Sequence, residues 1–117
     1  MAGDPLRELQ ARLKAFACAR DWEQFHSPKN LAMALVVEAA ELVEHFQWLT
    51  EEQSGNLPPD KLAEVELELA DIFIYLLRLT EELGVDLMAA TGRKIAINEE
   101  RYPADKVRGS ARKYDEY

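Results

Sequence analysis

Residues 31–49, LAMALVVEAAELVEHFQWL, form one of the most apolar stretches of the chain, and yet they carry three glutamates. At 100° per residue, the four leucines of this stretch share one helical stripe, and Glu38 falls in the middle of it. A helix that is apolar nearly all round is expected to be central in its fold or to lie at a subunit interface. Burial of an unpaired carboxylate is costly. The stretch therefore predicts a buried helix in which Glu38 is the residue that requires an explanation.

Helical periodicity dominates the rest of the chain as well, and no convincing alternation of strand length is present. Asp4-Pro5 and Ser27-Pro28 are pairs typical of helix starts, and Gly84 is a typical helix stop. The predicted helices cover about residues 4–20, 27–49, 59–83 and 86–101, with a polar loop at 50–60 and an irregular basic tail from about residue 103. Since 117 residues suit a single domain, we expect one domain over residues 1–117 with an all-α, four-helix bundle-like, oligomeric fold.

Composition narrows the classes of function. The net charge of −8 argues against binding to nucleic acid, and no apolar run reaches the roughly 18 residues that span a bilayer. A single cysteine, Cys18, excludes an internal disulfide, and no secretory leader is visible at the N-terminus, so a cytoplasmic location is expected. Residues 51–71 hold seven acidic side chains against one lysine, whereas residues 93–113 hold seven basic ones. This asymmetry indicates either plain solubility or a cation site beside an anion site.

Two pairs of carboxylates have the same spacing. Glu38 and Glu41 are three residues apart on the second predicted helix, and Glu68 and Asp71 are three apart on the third, so each pair can point at one spot. Residues 31–59 contain no lysine or arginine that would pair with Glu38. Two acidic pairs on neighbouring helices predict an all-oxygen site suited to Mg²⁺.

Two other interpretations compete with a magnesium site. The carboxylates can belong to solvated helix faces, which fits the third helix better than the second, because its best apolar stripe lies roughly opposite Asp71. A di-iron carboxylate bundle requires Glu-x-x-His on two helices. Only Glu23–His26 has that spacing, at an apparent helix break, while His45 is four residues from Glu41. The di-iron interpretation is therefore disfavoured.

The two pairs, ExxE and ExxD, resemble the motif of the MazG-like all-α nucleoside triphosphate pyrophosphatases. Further blocks resemble the dCTP pyrophosphatase branch of that family, namely RDWEQFHSPKNLA, EHFQW, DIFIYLL, KIAINEERYP and SARKY, which together extend from Arg20 to Tyr114. Two features depart from the pattern. Val37 stands where the broader motif has a first acid, and Leu13 stands where this branch carries a histidine near the base.

The resemblance implies an enzyme that hydrolyses the α–β bond of a nucleoside triphosphate to monophosphate and pyrophosphate, with Mg²⁺ as cofactor, as a homodimer or homotetramer. It implies that Glu38 and Glu41 are catalytic and that the metal ligands are Glu38, Glu41, Glu68 and Asp71. It also implies that substrate is bound by Trp22 and Trp48 at the base and by Tyr75, Lys94 and Asn98 near the sugar and phosphates.

Three hypotheses remain open at this point. The first is nucleotide-pool housecleaning, with dCTP-like substrates favoured and with neither nucleic acid nor membrane as partner. The second is a non-catalytic helical oligomerisation or regulatory module with a solvated acidic stripe. The third is the same fold acting on another phosphoanhydride substrate.

Overall fold

The computed structural model describes residues 3–111, and all regular structure within that range is helical. The all-α class is therefore confirmed. The α-helices are α1 (Pro5–Ala19), α2 (Pro28–Glu44), α3 (Glu51–Ser54), α4 (Pro59–Leu83), α5 (Leu87–Arg101) and α6 (Ala104–Val107), and a 3₁₀ turn occupies Glu23–Phe25.

The chain divides into two compact units, Met1–Gly84 and Val85–Tyr117. In the first unit α4 packs mainly against α2 and also against α1. The apolar side chains buried there are Ala17 of α1, Leu31 of α2, and Val65 and Leu77 of α4. The second unit contains α5 and α6. That residues 1–117 form one domain stays a prediction.

The starts of the long helices follow the signals in the sequence. The side chains of Asp4, Ser27 and Asp86 each accept a hydrogen bond from a backbone N–H in the first turn of the helix that follows. Such a cap stabilises a helix by about 1 kcal/mol. At the end of α4, Gly84 adopts a φ of 66°, a left-handed conformation that suits glycine. These boundaries are confirmed to within a residue or two.

The segment after α2 differs from the prediction. The helix ends at Glu44 rather than at Leu49, because the backbone N–H groups of His45 and Phe46 bond three residues back and tighten the last turn. The expected loop also contains a short helix, α3, which begins with a capping box between Thr50 and Gln53.

The C-terminal tail also differs from the expectation, since α6 gives it a turn of helix. The basic side chains of Arg112 and Lys113, predicted to belong to the cationic tail, lie outside the described residues.

The outer face of α2 is apolar and exposed. Val36 and Val37 are 68% and 55% exposed, and Met33 and Val43 are similarly accessible. In the first unit this helix therefore buries the stripe of Leu31 and leaves the opposite side uncovered. Among residues 3–111, none of the helices combines the length and the apolar character needed to cross a bilayer.

Candidate metal centre

Three carboxylates converge where α2 packs against α4. Each of Glu38, Glu41 and Glu68 offers one oxygen, and these oxygens lie within 4.8 Å of one another. Glu38 Oε2 and Glu68 Oε2 are buried, and neither has a hydrogen-bond partner among the described residues. Buried polar atoms normally have a partner, so two such oxygens in one cluster fit a site that binds a cation.

The electrostatics of the cluster point the same way. Burial, followed by hydrogen bonding to Glu41 and by the charges of the neighbouring carboxylates, raises the pKa of Glu38 from 4.5 to about 7. Burial, followed by the charge of Glu41, also raises the pKa of Glu68. Carboxylates this close cannot all ionise at neutral pH at low cost. A cation would remove that conflict.

The donor set fits a divalent cation that prefers oxygen. Three carboxylate groups whose oxygens lie within 4.8 Å of one another match the ligands of Mg²⁺ or a similar hard cation, and two of these groups each carry a buried oxygen without a donor among the described residues. Asp71, the fourth predicted ligand, is exposed and lies outside this group of three. Its charge nevertheless contributes to the raised pKa values of Glu38 and Glu68. Its role as a ligand stays a prediction.

His45 lies against the same cluster, and the sequence analysis did not assign it to the site. Its Nε2 is 3.8 Å from Glu68 Oε1, and its Nδ1 is 3.8 Å from Glu64 Oε2. The signal in the sequence was its spacing, four residues after Glu41 and seven after Glu38, which places it on the same side of the helix.

Trp22 is positioned by the end of α1. The N–H of Asp21 bonds to the carbonyl of Cys18 and the N–H of Trp22 to that of Ala17, with Asp21 at a φ of 56°. This is a Schellman motif with aspartate in the left-handed position, where aspartate is tolerated better than most residues. The rings of Trp22 and Phe16 form a T-shaped contact with centroids 5.7 Å apart, the apolar contact that often accompanies the motif. Trp22 is still 44% exposed.

The other predicted substrate residues occupy separate places. Trp48 follows α2 and is 87% exposed, so it has almost no packing role within the first unit. Tyr75 is half-buried on α4, one turn after Asp71. Lys94 and Asn98 are exposed and lie one turn apart on α5, in the second unit.

A buried arginine on α4 was also missed. The side chain of Arg78 is 3% exposed, and its Nη2 donates to Glu82 Oε1 at 2.9 Å and lies 3.4 Å from His26 Nδ1. Burial, and then the charge of Arg78, lowers the pKa of His26. His26 directly follows the 3₁₀ turn Glu23–Phe25, so this contact ties the segment after Trp22 to α4.

A cavity of about 770 Å³ lies between the segment after α2 and the start of α4, and none of the three clustered carboxylates lines it. Its lining includes Leu49 and Leu57, together with the carboxylates of Glu52, Asp60 and Glu64 and the single cation of Lys61. Glu64 links it to His45. The volume suits a small molecule, but the excess of carboxylates disfavours the anionic part of a nucleotide.

Known proteins that are similar to this chain include pyrophosphatases. The chain is 47% identical over 116 residues to dCTP pyrophosphatase 1 of Homo sapiens, covering 97% of this chain and 68% of the relative. It is 46% identical over 114 residues to dCTP pyrophosphatase 1 of Mus musculus, covering 95% and 67%. A crystal structure of a pyrophosphatase from Archaeoglobus fulgidus superposes with a TM-score of 0.83 at 36% identity, covering 88% of this chain and 96% of that chain. The model of the MazG-like family matches residues 33–117, and the chain belongs to this family.

Proposed function

We propose that this chain is a nucleoside triphosphate pyrophosphatase that cleaves the α–β phosphoanhydride and releases monophosphate and pyrophosphate. The observation that carries the proposal is the cluster of Glu38, Glu41 and Glu68, in which two buried oxygens have no donor within residues 3–111. The similarity to dCTP pyrophosphatases over nearly the whole chain supports a hydrolase that acts on nucleoside triphosphates.

The cofactor in this proposal is Mg²⁺, held by Glu38, Glu41 and Glu68, with Asp71 as a fourth ligand. When bound, it supplies charge neutralisation at the phosphates and lowers the pKa of water. The chain itself provides acceptors for the proton of the attacking water, and Glu38 and Glu41 are the residues to which we assign this role.

The substrate in this proposal is a dCTP-like deoxynucleotide, and the role is removal of unwanted nucleotides from the pool. The exposed rings of Trp22 and Trp48 are available to stack on a base. Tyr75, Lys94 and Asn98 are assigned to the sugar and phosphates. An acidic chain needs local cations for a triphosphate, which Lys94 and the bound metal supply. We also propose that the enzyme is located in the cytoplasm.

A second copy of the chain is the proposed partner. The exposed apolar side chains of α2 include Met33, Val36 and Val37, and a helix face of this kind is stable when another subunit covers it. We therefore propose a homodimer or homotetramer.

The experiment that tests this function is a panel of ribo- and deoxynucleoside triphosphates incubated with the purified chain and Mg²⁺, with separation of mono- and diphosphate products. Glu38→Gln is expected to lower turnover by about 100-fold or more, since general acid–base groups contribute about 10² to 10⁴. Glu44→Gln is the matched control, because Glu44 is exposed on the same helix and is not part of the cluster.

Three outcomes would contradict the proposal. These are the absence of turnover for every nucleotide, full activity of Glu38→Gln, and formation of diphosphate instead of monophosphate. Activity restricted to another phosphoanhydride would agree with the proposed metal centre and would contradict only the proposed substrate.

A further inference from the structure

We infer that His45 is a positioning residue for Glu68: its Nε2–H donates to Glu68 Oε1 and leaves Oε2 for the cation. The inference rests on the proposed metal centre and extends it by a residue that is not itself a ligand. When a metal-binding side chain is held by a hydrogen bond to its second polar atom, mutation of the residue that holds it commonly lowers metal affinity by about 10- to 100-fold.

The two oxygens of Glu68 have different surroundings. Oε1 lies 3.8 Å from His45 Nε2, whereas Oε2 is buried and has no hydrogen-bond partner in the described part of the chain. Hydrogen bonds of this type require about 3.2 Å or less, so a shift of about 0.6 Å closes the contact.

His45 is well placed to hold this orientation. It directly follows the last residue of α2, where the tightened turn fixes its backbone, and its side chain is only 16% exposed. A ring with little room to move holds the carboxylate more firmly than a solvated side chain does.

The opposite ring nitrogen faces a different kind of partner. Glu64 Oε2, 3.8 Å from His45 Nδ1, belongs to a side chain that is 62% exposed and that already has Lys61 Nζ at 3.5 Å. Water and Lys61 therefore provide polar partners for the Glu64 carboxylate, whereas Glu68 Oε2 is buried. The ring nitrogen that matters for the metal centre is Nε2.

Two amides distinguish the ring nitrogens. Glutamine places its amide nitrogen near the position of Nε2, whereas asparagine reaches only the position of Nδ1. We expect His45→Gln to bind Mn²⁺ like the wild type and His45→Asn to bind it about tenfold or more weakly. Glu64→Gln is the control on the Nδ1 side and is expected to keep the wild-type affinity.

The measurement is direct binding of Mn²⁺ alone to the metal-free full chain at one pH, followed through the electron paramagnetic resonance signal of the free ion. Thermal unfolding in EDTA accompanies it, and the two amide variants are expected to melt at the same temperature. A merely structural histidine would instead alter this metal-free melting temperature.

Equal affinities of the wild type, His45→Asn and His45→Gln would overturn the inference, as would equal losses in both variants. A loss in Glu64→Gln as large as that in His45→Asn would assign the effect to Nδ1 and overturn it too. If the wild type binds no Mn²⁺, the proposed metal centre is contradicted, and so is the inference that rests on it.

Discussion

Replacement of Glu38 by glutamine is expected to stabilise the metal-free protein above neutral pH. Because the pKa of Glu38 is raised from 4.5 to about 7, the folded state binds this proton more tightly than the unfolded state does. The stability that the proton contributes is fully present below about pH 4.5 and is lost as the pH rises through about 7. Glutamine is neutral throughout and avoids that loss.

The size of the effect follows from the shift. At 1.36 kcal/mol per unit, the change from 4.5 to about 7 corresponds to about 3 kcal/mol. Glu38 is partly accessible, so solvent screening reduces this to about 1–2 kcal/mol. For a chain of this length, we expect Glu38→Gln to melt about 4–8 °C above the wild type near pH 8, with a smaller difference near pH 4.5.

The assay is thermal unfolding by circular dichroism in EDTA at both pH values, with Glu44→Gln as control. A variant that melts at or below the wild-type temperature near pH 8 would refute the reasoning, because Glu38 would then carry no electrostatic penalty. Addition of Mg²⁺ should reverse the order. The wild type gains about 2.7 kcal/mol at 100 times the dissociation constant, whereas the variant gains little.

Three other substitutions test separate parts of the molecule. Trp48→Ala should leave the melting temperature unchanged because the ring is exposed, while steady-state kinetics should show KM for the nucleotide raised about tenfold through lost stacking. Val36→Lys should lower the mass measured by light scattering, since it places a charge on the apolar face of α2, without loss of helix content. Glu82→Gln should lower the free energy of unfolding in urea by about 1.5–3 kcal/mol, because it leaves the buried Arg78 without its carboxylate. An unchanged urea midpoint would contradict the last of these.

Local signals explain which helix boundaries the sequence predicts. Asp4-Pro5 marks the start of α1, and Pro59 and Gly84 mark the start and the end of α4; each of these residues acts on backbone within a few residues of itself. The end of α2 carries no glycine or proline, so nothing local marks the tightened turn after Glu44. The sequence does contain a signal for the start of α3, since Thr50 and Gln53 have the spacing of a capping box. The polar residues around them are more typical of a loop and favour the wrong interpretation.

The candidate site shows a similar division. The approach of Glu38 to Glu41 follows from their spacing on α2, whereas Glu68 joins them because α4 packs against that side of the helix. The contact of His45 with Glu68 depends on how far α4 is displaced along α2, and the period of a single helix carries no information on that register. The burial of Arg78 likewise depends on packing between elements rather than on its neighbours in sequence.

The end of α1 has a consequence for how this protein can evolve. The location of Trp22 is set by two backbone hydrogen bonds and the left-handed turn at Asp21, and its ring remains partly open to solvent. A different side chain at position 22 would occupy the same location without any change in the packing of the core. If Trp22 contacts the base as proposed, substrate preference can drift by single substitutions there while the fold and the carboxylate cluster stay intact.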